Sequence, residues 1–211
     1  MQSITCCRMC KSQNLKEVFD FGNQVLGCRF PAAKDPEPPR GPLVLVECKG
    51  ECGLLQLRDT VSGDEMYTTC TYGYRSGLNE SMKSHLWTIV DDLYTWRKPE
   101  PSDIVLDIGS NDGTLLGFHS DETVRTGIDP TSRQFLEFYD KDIITVPDFF
   151  TAETFRKVHG DKKAKYVTTV SMFYDLPDPH KFTKDVESIL DEDGIWIMEQ
   201  SYMPTMLERN A

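Results

Sequence analysis

All seven cysteines of this 211-residue chain sit at positions 6, 7, 10, 28, 48, 52 and 70, and none follows. An odd count argues against a closed disulfide framework. The N-terminal stretch MQSITCCRMCKSQ lacks the apolar core of a signal peptide, and no apolar run is long enough to span a bilayer. Both point to a reducing, cytoplasmic setting, where clustered thiols bind metal rather than pair. Cys7-Arg-Met-Cys10 is a C-x2-C pair and Cys48-Lys-Gly-Glu-Cys52 a C-x3-C pair. Such spacing lets two thiolates from one turn take adjacent corners of a tetrahedron, the geometry of a four-thiolate Zn(II) site. The predicted ligands are Cys7, Cys10, Cys48 and Cys52, with Cys6 as the alternative to Cys7, and with Cys28 and Cys70 outside the set. Four protein ligands leave no open position, so the predicted role is structural. The competing readings are a set of buried inert cysteines and a redox C-x-x-C, the latter without a surrounding βαβ pattern.

Three segments follow from the pattern. Residues 1–60 hold six cysteines, a proline-rich loop over 31–42 and short strand-like runs at 18–21, 43–46 and 54–57. So little apolar sequence requires a metal for stability. Residues 61–98 comprise a Tyr-, Thr- and Gly-rich loop and a helix over 79–97. Asn79 is its N-cap, and Met82, Leu86, Ile89, Val90, Leu93 and Trp96 share one face. Residues 99–211 alternate strands at 104–108, 124–128, 143–146, 166–170 and 194–199 with helical segments at 113–119, 131–139, 151–158 and 179–190. That alternation predicts an α/β class with a parallel, doubly wound, Rossmann-like sheet. A fifth strand followed only by a helix-like 205–208 leaves an open edge, so the natural protein is expected to continue or to cover that edge with another element. With 34 acidic and 23 basic residues the net charge is −11, which argues against sequence-independent binding of nucleic acid.

Within the third segment, Ile104-Val-Leu-Asp-Ile-Gly-Ser-Asn-Asp-Gly-Thr-Leu-Leu116 reads as strand, glycine turn and helix start. Gly109 and Gly113 let the backbone approach a ligand. The spacing is neither the G-x-G-x-x-G of dinucleotide binders nor a P-loop. Asp107 and Asp112 would repel a pyrophosphate and favour a cation, such as a sulfonium carrying an α-amino group. Asp129 ends the second strand, where a carboxylate can accept from both hydroxyls of a ribose. Asp148 and Phe149, beside Phe150, follow the third strand, where an acid can pair with an adenine amino group and an aromatic can cover the ring. The ligand these parts assemble is S-adenosylmethionine, with Asp107, Gly109, Ser110, Asn111, Gly113, Asp129, Asp148, Phe149 and Ser171 as predicted binding residues. The competing reading makes them ordinary turn formers.

Cys7-Arg-Met-Cys10, Asp20-Phe-Gly22, Cys52-Gly-Leu-Leu-Gln-Leu57, Tyr72-Gly-Tyr-Arg-Ser-Gly77, Asp107-Ile-Gly-Ser-Asn-Asp-Gly113, Asp148-Phe-Phe150 and Glu199-Gln-Ser-Tyr202 together resemble the sugar C-methyltransferases. These are class I S-adenosylmethionine-dependent enzymes acting on nucleotide-linked deoxysugars. The resemblance covers nearly the whole chain and implies a zinc domain, a cofactor domain and a further C-terminal domain. It departs at the C-x3-C spacing, and at a downstream Glu-His pair that lies beyond residue 211 in family members. It implies C-methylation of a keto nucleotide-sugar through an enolate, with Tyr72 and Tyr74 as acid/base candidates. Asp175 stands where some relatives carry a histidine. The readings set against this are packing of the tyrosines between modules, methylation of a small metabolite at O or N, and a non-catalytic zinc-stapled fragment. The histidines at 85, 119, 159 and 180 read as surface residues.

Overall fold

The structure is a computed structural model describing residues 1–27, 31, 33–68 and 72–210. Cys28 and Cys70 lie outside the described residues. The chain forms two compact units, Met1–Tyr74 with Pro177–His180, and Arg75–Leu176 with Lys181–Ala211.

The first unit carries β1 (Gln2–Ser3), β2 (Leu15–Val25), β3 (Arg40–Cys48), β4 (Leu55–Leu57) and β5 (Asp59–Thr60). β2, β3 and β4 make an antiparallel sheet, and β1 pairs with β5. Burial along β3 follows the period of two, with Val44, Val46 and Cys48 inward. β2 leaves every residue but Leu15 exposed, and Phe19 meets Phe21 edge-on at the surface. The buried apolar residues described in this unit are Cys7, Val44, Val46 and Cys48. Two of these four are cysteines, so the apolar core is too thin to hold the sheet without another source of stability.

The second unit contains α1 (Glu80–Trp96), β6 (Ile104–Ile108), β7 (Val124–Ile128), β8 (Ile144–Val146), α2 (Ala152–His159), β9 (Ala164–Val170), α3 (Pro179–Ile189), β10 (Leu190–Glu199) and α4 (Met203–Arg209). The five strands are parallel in the order β10-β9-β6-β7-β8. The chain winds outward from β6 to β8, then crosses to the other side for β9 and β10. The topological switch point therefore lies between β6 and β9. Every residue of β6 is buried. Ile104, Leu106 and Ile108 face Phe155 of α2 and Val186 of α3, while Val105 faces Leu93 of α1. The phase changes in β9, where a bulge between Ala164 and Tyr166 puts Tyr166 with Leu93 and returns Val167 to the α2–α3 side. No helix among the described residues is long and apolar enough to cross a membrane.

Two expected helices are absent. Residues 113–119 yield one 3-10 turn, Leu116–Phe118, and residues 131–139 yield two, Ser132–Gln134 and Leu136–Phe138. Tertiary contacts override helix propensity here. Tyr139 turns back to bond Ser110 and the Asn111 carbonyl, at 2.8 and 2.9 Å. Arg125 is almost fully buried in β7 and draws Asp121, Asp140 and Asp142 over it as ion-pair partners, which fixes the loops that follow the two segments.

α1 begins where the sequence places it. The Asn79 side chain accepts from the Met82 N–H at 2.7 Å, and Leu86, Val90 and Leu93 are its buried stripe. Replacing Asn79 by Ala should lower stability by about 1 kcal/mol, whereas Asp should keep most of the cap. Urea unfolding of the three proteins checks this, and equal midpoints for Ala and Asn would remove the cap from the account.

Candidate functional site

The Sγ atoms of Cys7, Cys10, Cys48 and Cys52 all lie within 4.8 Å of one another. The Cys7–Cys52 and Cys10–Cys48 pairs are 3.5 Å apart. Zinc–sulfur bonds of about 2.3 Å place tetrahedral sulfurs about 3.8 Å apart, so the four thiolates fit Zn(II). Cys7, not Cys6, is the member of the group. The first pair sits in a turn closed by Lys11 N–H donating to the Cys7 carbonyl at 3.0 Å, with Lys11 at φ 60°. β3 delivers Cys48 at its last residue, and the Cys48 N–H donates to the Leu54 carbonyl across the second turn. Gln56 of β4 is buried beside them. Its Nε2 donates to Cys7 Sγ at 3.2 Å and its Oε1 accepts from the Arg8 backbone and guanidinium, both at 3.1 Å. Gln56 thus orients a ligand, a role the sequence reading did not assign.

Burial pushes the Cys7 thiol up, but donors from Cys10, Gln56 and Met9 outweigh it and hold it at about 6. Cys48 is pushed up to about 12, chiefly by burial. A cluster this tight cannot ionise fully by itself. A divalent cation supplies the missing charge and releases the remaining protons.

The second candidate lies at the carboxyl ends of the parallel strands, where open α/β sheets bind ligands beside the switch point. Asp107 is buried at the end of β6 and its Oδ1 accepts from Thr168 at 2.6 Å. Burial raises its carboxyl to about 7; Thr168 opposes the shift and Asp129 adds to it. The backbone then turns through Gly109 and Gly113, both at φ 78°, with Asn111 at φ 51° between them. A Cβ on Gly113 would stand 2.7 Å from the Tyr139 ring. The freedom of this glycine therefore admits a protein ring. At Gly109 a Cβ would approach Met172 at 3.3 Å.

The loop is tied down by its own side chains. The Asn111 N–H donates to Asp129 Oδ2 at 2.8 Å, and Asp129 Oδ1 accepts from the Thr131 N–H and hydroxyl, both at 2.6 Å. Asn111 Oδ1 accepts from Ser76 N–H, and Asp112 Oδ2 from Gly77 N–H, each at 2.9 Å. Asp112 also accepts from the Thr114 hydroxyl at 2.6 Å and lies 3.4 Å from Arg75 Nε. Its charge is already used within the protein, contrary to the expectation that it faces a cation. After β8, exposed Asp148 accepts from its neighbour's N–H, Phe149 is half-buried, and Phe150 packs on Phe182 in the core. Ser171 follows β9 at φ 52°, exposed, and its N–H donates to the Glu199 carbonyl at 2.9 Å.

Asp107, Gly109, Ser110, Asn111, Gly113 and Asp129 thus share the β6–β7 tips. Tyr72 and Tyr74 belong to the first unit. Tyr72 stacks obliquely near Tyr67, and Tyr74 is partly exposed, one residue before Arg75. His85 and His180 are exposed, as the surface reading expects, and His119 departs from it. His119 is buried against Tyr94 and is driven down to about 4 by burial and by Arg125. His85 of α1 bonds Glu199 at the tip of β10, a pairing 114 residues apart that no local pattern signals. A hollow of about 900 Å³ opens between α3 and the start of β10 beside Val186, Leu190 and Trp196, away from the strand tips.

Elemental analysis of the purified protein should find about one zinc per chain. Stripping it with a chelator should release backbone protection in β2 and β3 while β6 and β9 stay protected from hydrogen exchange. A metal-free protein with β2 and β3 fully protected would remove the metal from the fold.

Residues 7–67 match a family model described as "Putative zinc binding domain". Over 216 aligned residues the chain is 27% identical to the C-methyltransferase NovU of Streptomyces niveus, covering all of this chain and 50% of the relative. Solved structures that the chain matches in part include the plantazolicin methyltransferase BpumL, in complex with a pentazolic desmethylPZN analog and SAH. It is 14% identical, with 62% of this chain and 51% of that one covered and a TM-score of 0.49. Another is the PH0226 protein from Pyrococcus horikoshii OT3, at 19% identity, coverages of 65% and 62%, and a TM-score of 0.48. The chain spans about half the length of the curated relative it matches, and it is similar to that C-methyltransferase from end to end.

Proposed function

We propose that the chain is the zinc-bearing and cofactor-binding part of an S-adenosylmethionine-dependent C-methyltransferase acting on a keto nucleotide-sugar. The observation that carries this reading is the buried Asp107 carboxyl beside two left-handed glycines at the sheet's switch point, in a chain similar throughout to a C-methyltransferase. A carboxyl held near neutrality by burial gains most from a cationic partner. The α-amino group of the cofactor is such a partner. Asp129 and Asp148 are the proposed hydrogen-bond acceptors for ribose and adenine, with Phe149 beside the ring and Ser171 on the far side of the switch point. Asp129 retains lone pairs for this beyond the three it gives to Asn111 and Thr131.

When bound, the cofactor supplies an electrophilic methyl group. The protein's part is to make a carbon nucleophile: a proton leaves the carbon beside the ketone, and the electron pair moves to the carbonyl oxygen. Tyr72 and Tyr74 are the proposed donors to that oxygen. The zinc site has no open position and takes no part in the chemistry.

Calorimetry with S-adenosylhomocysteine tests the cofactor reading. Asp129→Ala should weaken binding by about 1–3 kcal/mol, and unchanged affinity would remove Asp129 from the site. The sign for Asp107 is also fixed. Its folded-state carboxyl, raised to about 7, stays protonated in a window where the unfolded one is ionised, so stability falls as pH rises from about 4 to 7. A bound ammonium favours the ionised form, so affinity should rise over the upper part of that window and beyond it. Asp107→Asn should flatten both dependences, and a pH-independent wild-type affinity from 6 to 8 would separate Asp107 from the ligand.

A further inference from the structure

The turn after β6 has already committed much of its hydrogen bonding to the protein. The Gly109 N–H donates to the Ile128 carbonyl at 3.0 Å, the Asn111 N–H to Asp129, the Gly113 N–H to the Ser110 carbonyl at 2.9 Å and the Thr114 N–H to Asp112 at 3.2 Å. Asp107, Asp112 and Asp129 are buried around it. An amino acid placed here finds a partner for its ammonium group in Asp107. Its carboxylate faces acids instead, and a full positive charge offsets that repulsion better than a neutral N–H does. Arg133, after β7, gives Nε to the Pro130 carbonyl and a terminal nitrogen to the Pro147 carbonyl, at 3.2 and 2.9 Å. Arg75 is differently placed. Its Nε stands 3.4 Å from Asp112 Oδ2, so the guanidinium borders the turn, and its central carbon lies 3.9 Å from the centre of the Phe138 ring. Yet Nε is buried without a hydrogen-bond partner, and the terminal nitrogens make no hydrogen bond among the described residues. Arg75, Phe138 and the turn all belong to the second unit.

Resting on the S-adenosylmethionine reading, we infer that Arg75 binds the α-carboxylate of the cofactor, while Asp107 takes its ammonium group. A guanidinium presents parallel N–H donors in a rigid fork that matches the two oxygens of a carboxylate. The protein holds that fork in place while leaving its donors unused. Asp112 draws the charge to the turn, and the Phe138 ring supports the guanidinium by a cation–π contact. The backbone fixes it from the chain side as well, because Ser76 and Gly77, the next two residues, donate their N–H groups to Asn111 and Asp112. A group positioned before the ligand arrives loses little freedom on binding. The Arg75–Asp112 pair is neutral overall, which suits a singly charged carboxylate. A diphosphate would meet two further buried acids, Asp107 and Asp129, with no second cation to offset them.

Calorimetry on the zinc-loaded protein tests this with two probes: S-adenosylhomocysteine and its decarboxylated analogue, which keeps the ammonium group and lacks the carboxylate. Wild type should prefer S-adenosylhomocysteine by about 10- to 100-fold, the range of a charge-assisted hydrogen bond. Arg75→Gln should weaken S-adenosylhomocysteine by about that factor and leave the analogue within about twofold, so the preference disappears. Arg75→Lys keeps the charge without the fork and should fall between the two. Arg75→Gln leaves Asp112 without its cation, so the double variant Arg75→Gln/Asp112→Asn removes both charges and should show the same loss of preference in a folded protein. Equal weakening of both probes would make Arg75 a structural tie and overturns the assignment. Unchanged S-adenosylhomocysteine affinity in Arg75→Gln overturns it too; if thymidine diphosphate binding falls instead, the guanidinium serves the acceptor's diphosphate. A wild-type protein that binds neither probe overturns the cofactor reading itself, and the role of Arg75 with it.

Discussion

The carboxylate of Asp112 is the tie on which the strand-tip region depends. It is almost wholly buried, yet it accepts from the Gly77 backbone and from Thr114 and lies beside the Arg75 guanidinium. A buried carboxylate this well supplied with donors is far better placed than an unpaired one. Its partners lie in two segments 35 residues apart in sequence, so a single side chain fixes the turn after β6 and the residues leading into α1 together. Asn111 repeats the link through Ser76 and extends it to Asp129 and β7. Once Ser76 and Gly77 are held, Asn79 caps α1 two residues later, and the register of that helix is set. The place of His85 at the carboxyl ends of the strands follows from that register.

The first unit solves a different problem. Val44 and Val46 are its buried aliphatic residues among those described, and β2 is exposed along nearly its whole length. Burial worth about 25 cal/mol per Å² cannot hold three strands on so little area. Four sulfurs bound to zinc supply the stabilisation directly, because the unfolded chain has no such preformed site. Gln56 shows the cost of arranging them. A buried amide is committed to presenting one sulfur and one turn.

The sequence carried most of the fold. β6 and β7 fall where the runs of buried aliphatics predict, and α1 starts at its cap, because these features are written in adjacent residues. The four ligand cysteines were legible through their spacing. The segments at 113–119 and 131–139 were not. Tyr139 and Arg125 draw them toward partners far along the chain, and such partners leave no periodic trace. The use of Asp112 and the purpose of Gly113 were misread for a related reason. A carboxylate and a glycine in a turn look the same whether they serve a ligand or the protein, and only the positions of Gly77 and the Tyr139 ring distinguish the two.

The same reasoning bears on the histidines. Histidine is the side chain whose ordinary ionisation lies closest to neutrality, so its surroundings decide its charge. Of the four histidines, His119 is buried, and burial together with the Arg125 charge disfavours its protonated form. His159 ends α2 and bonds Thr126, and burial together with Lys162 lowers its basicity. His180 donates to the Met9 carbonyl between two zinc ligands. His85 is partly exposed and bonds the Glu199 carboxylate at the β10 tip through Nε2. In the neutral ring that bond places the proton on Nε2 and leaves the lone pair on Nδ1, so a contact 114 residues apart in sequence sets the tautomer of a ring that the local sequence leaves open.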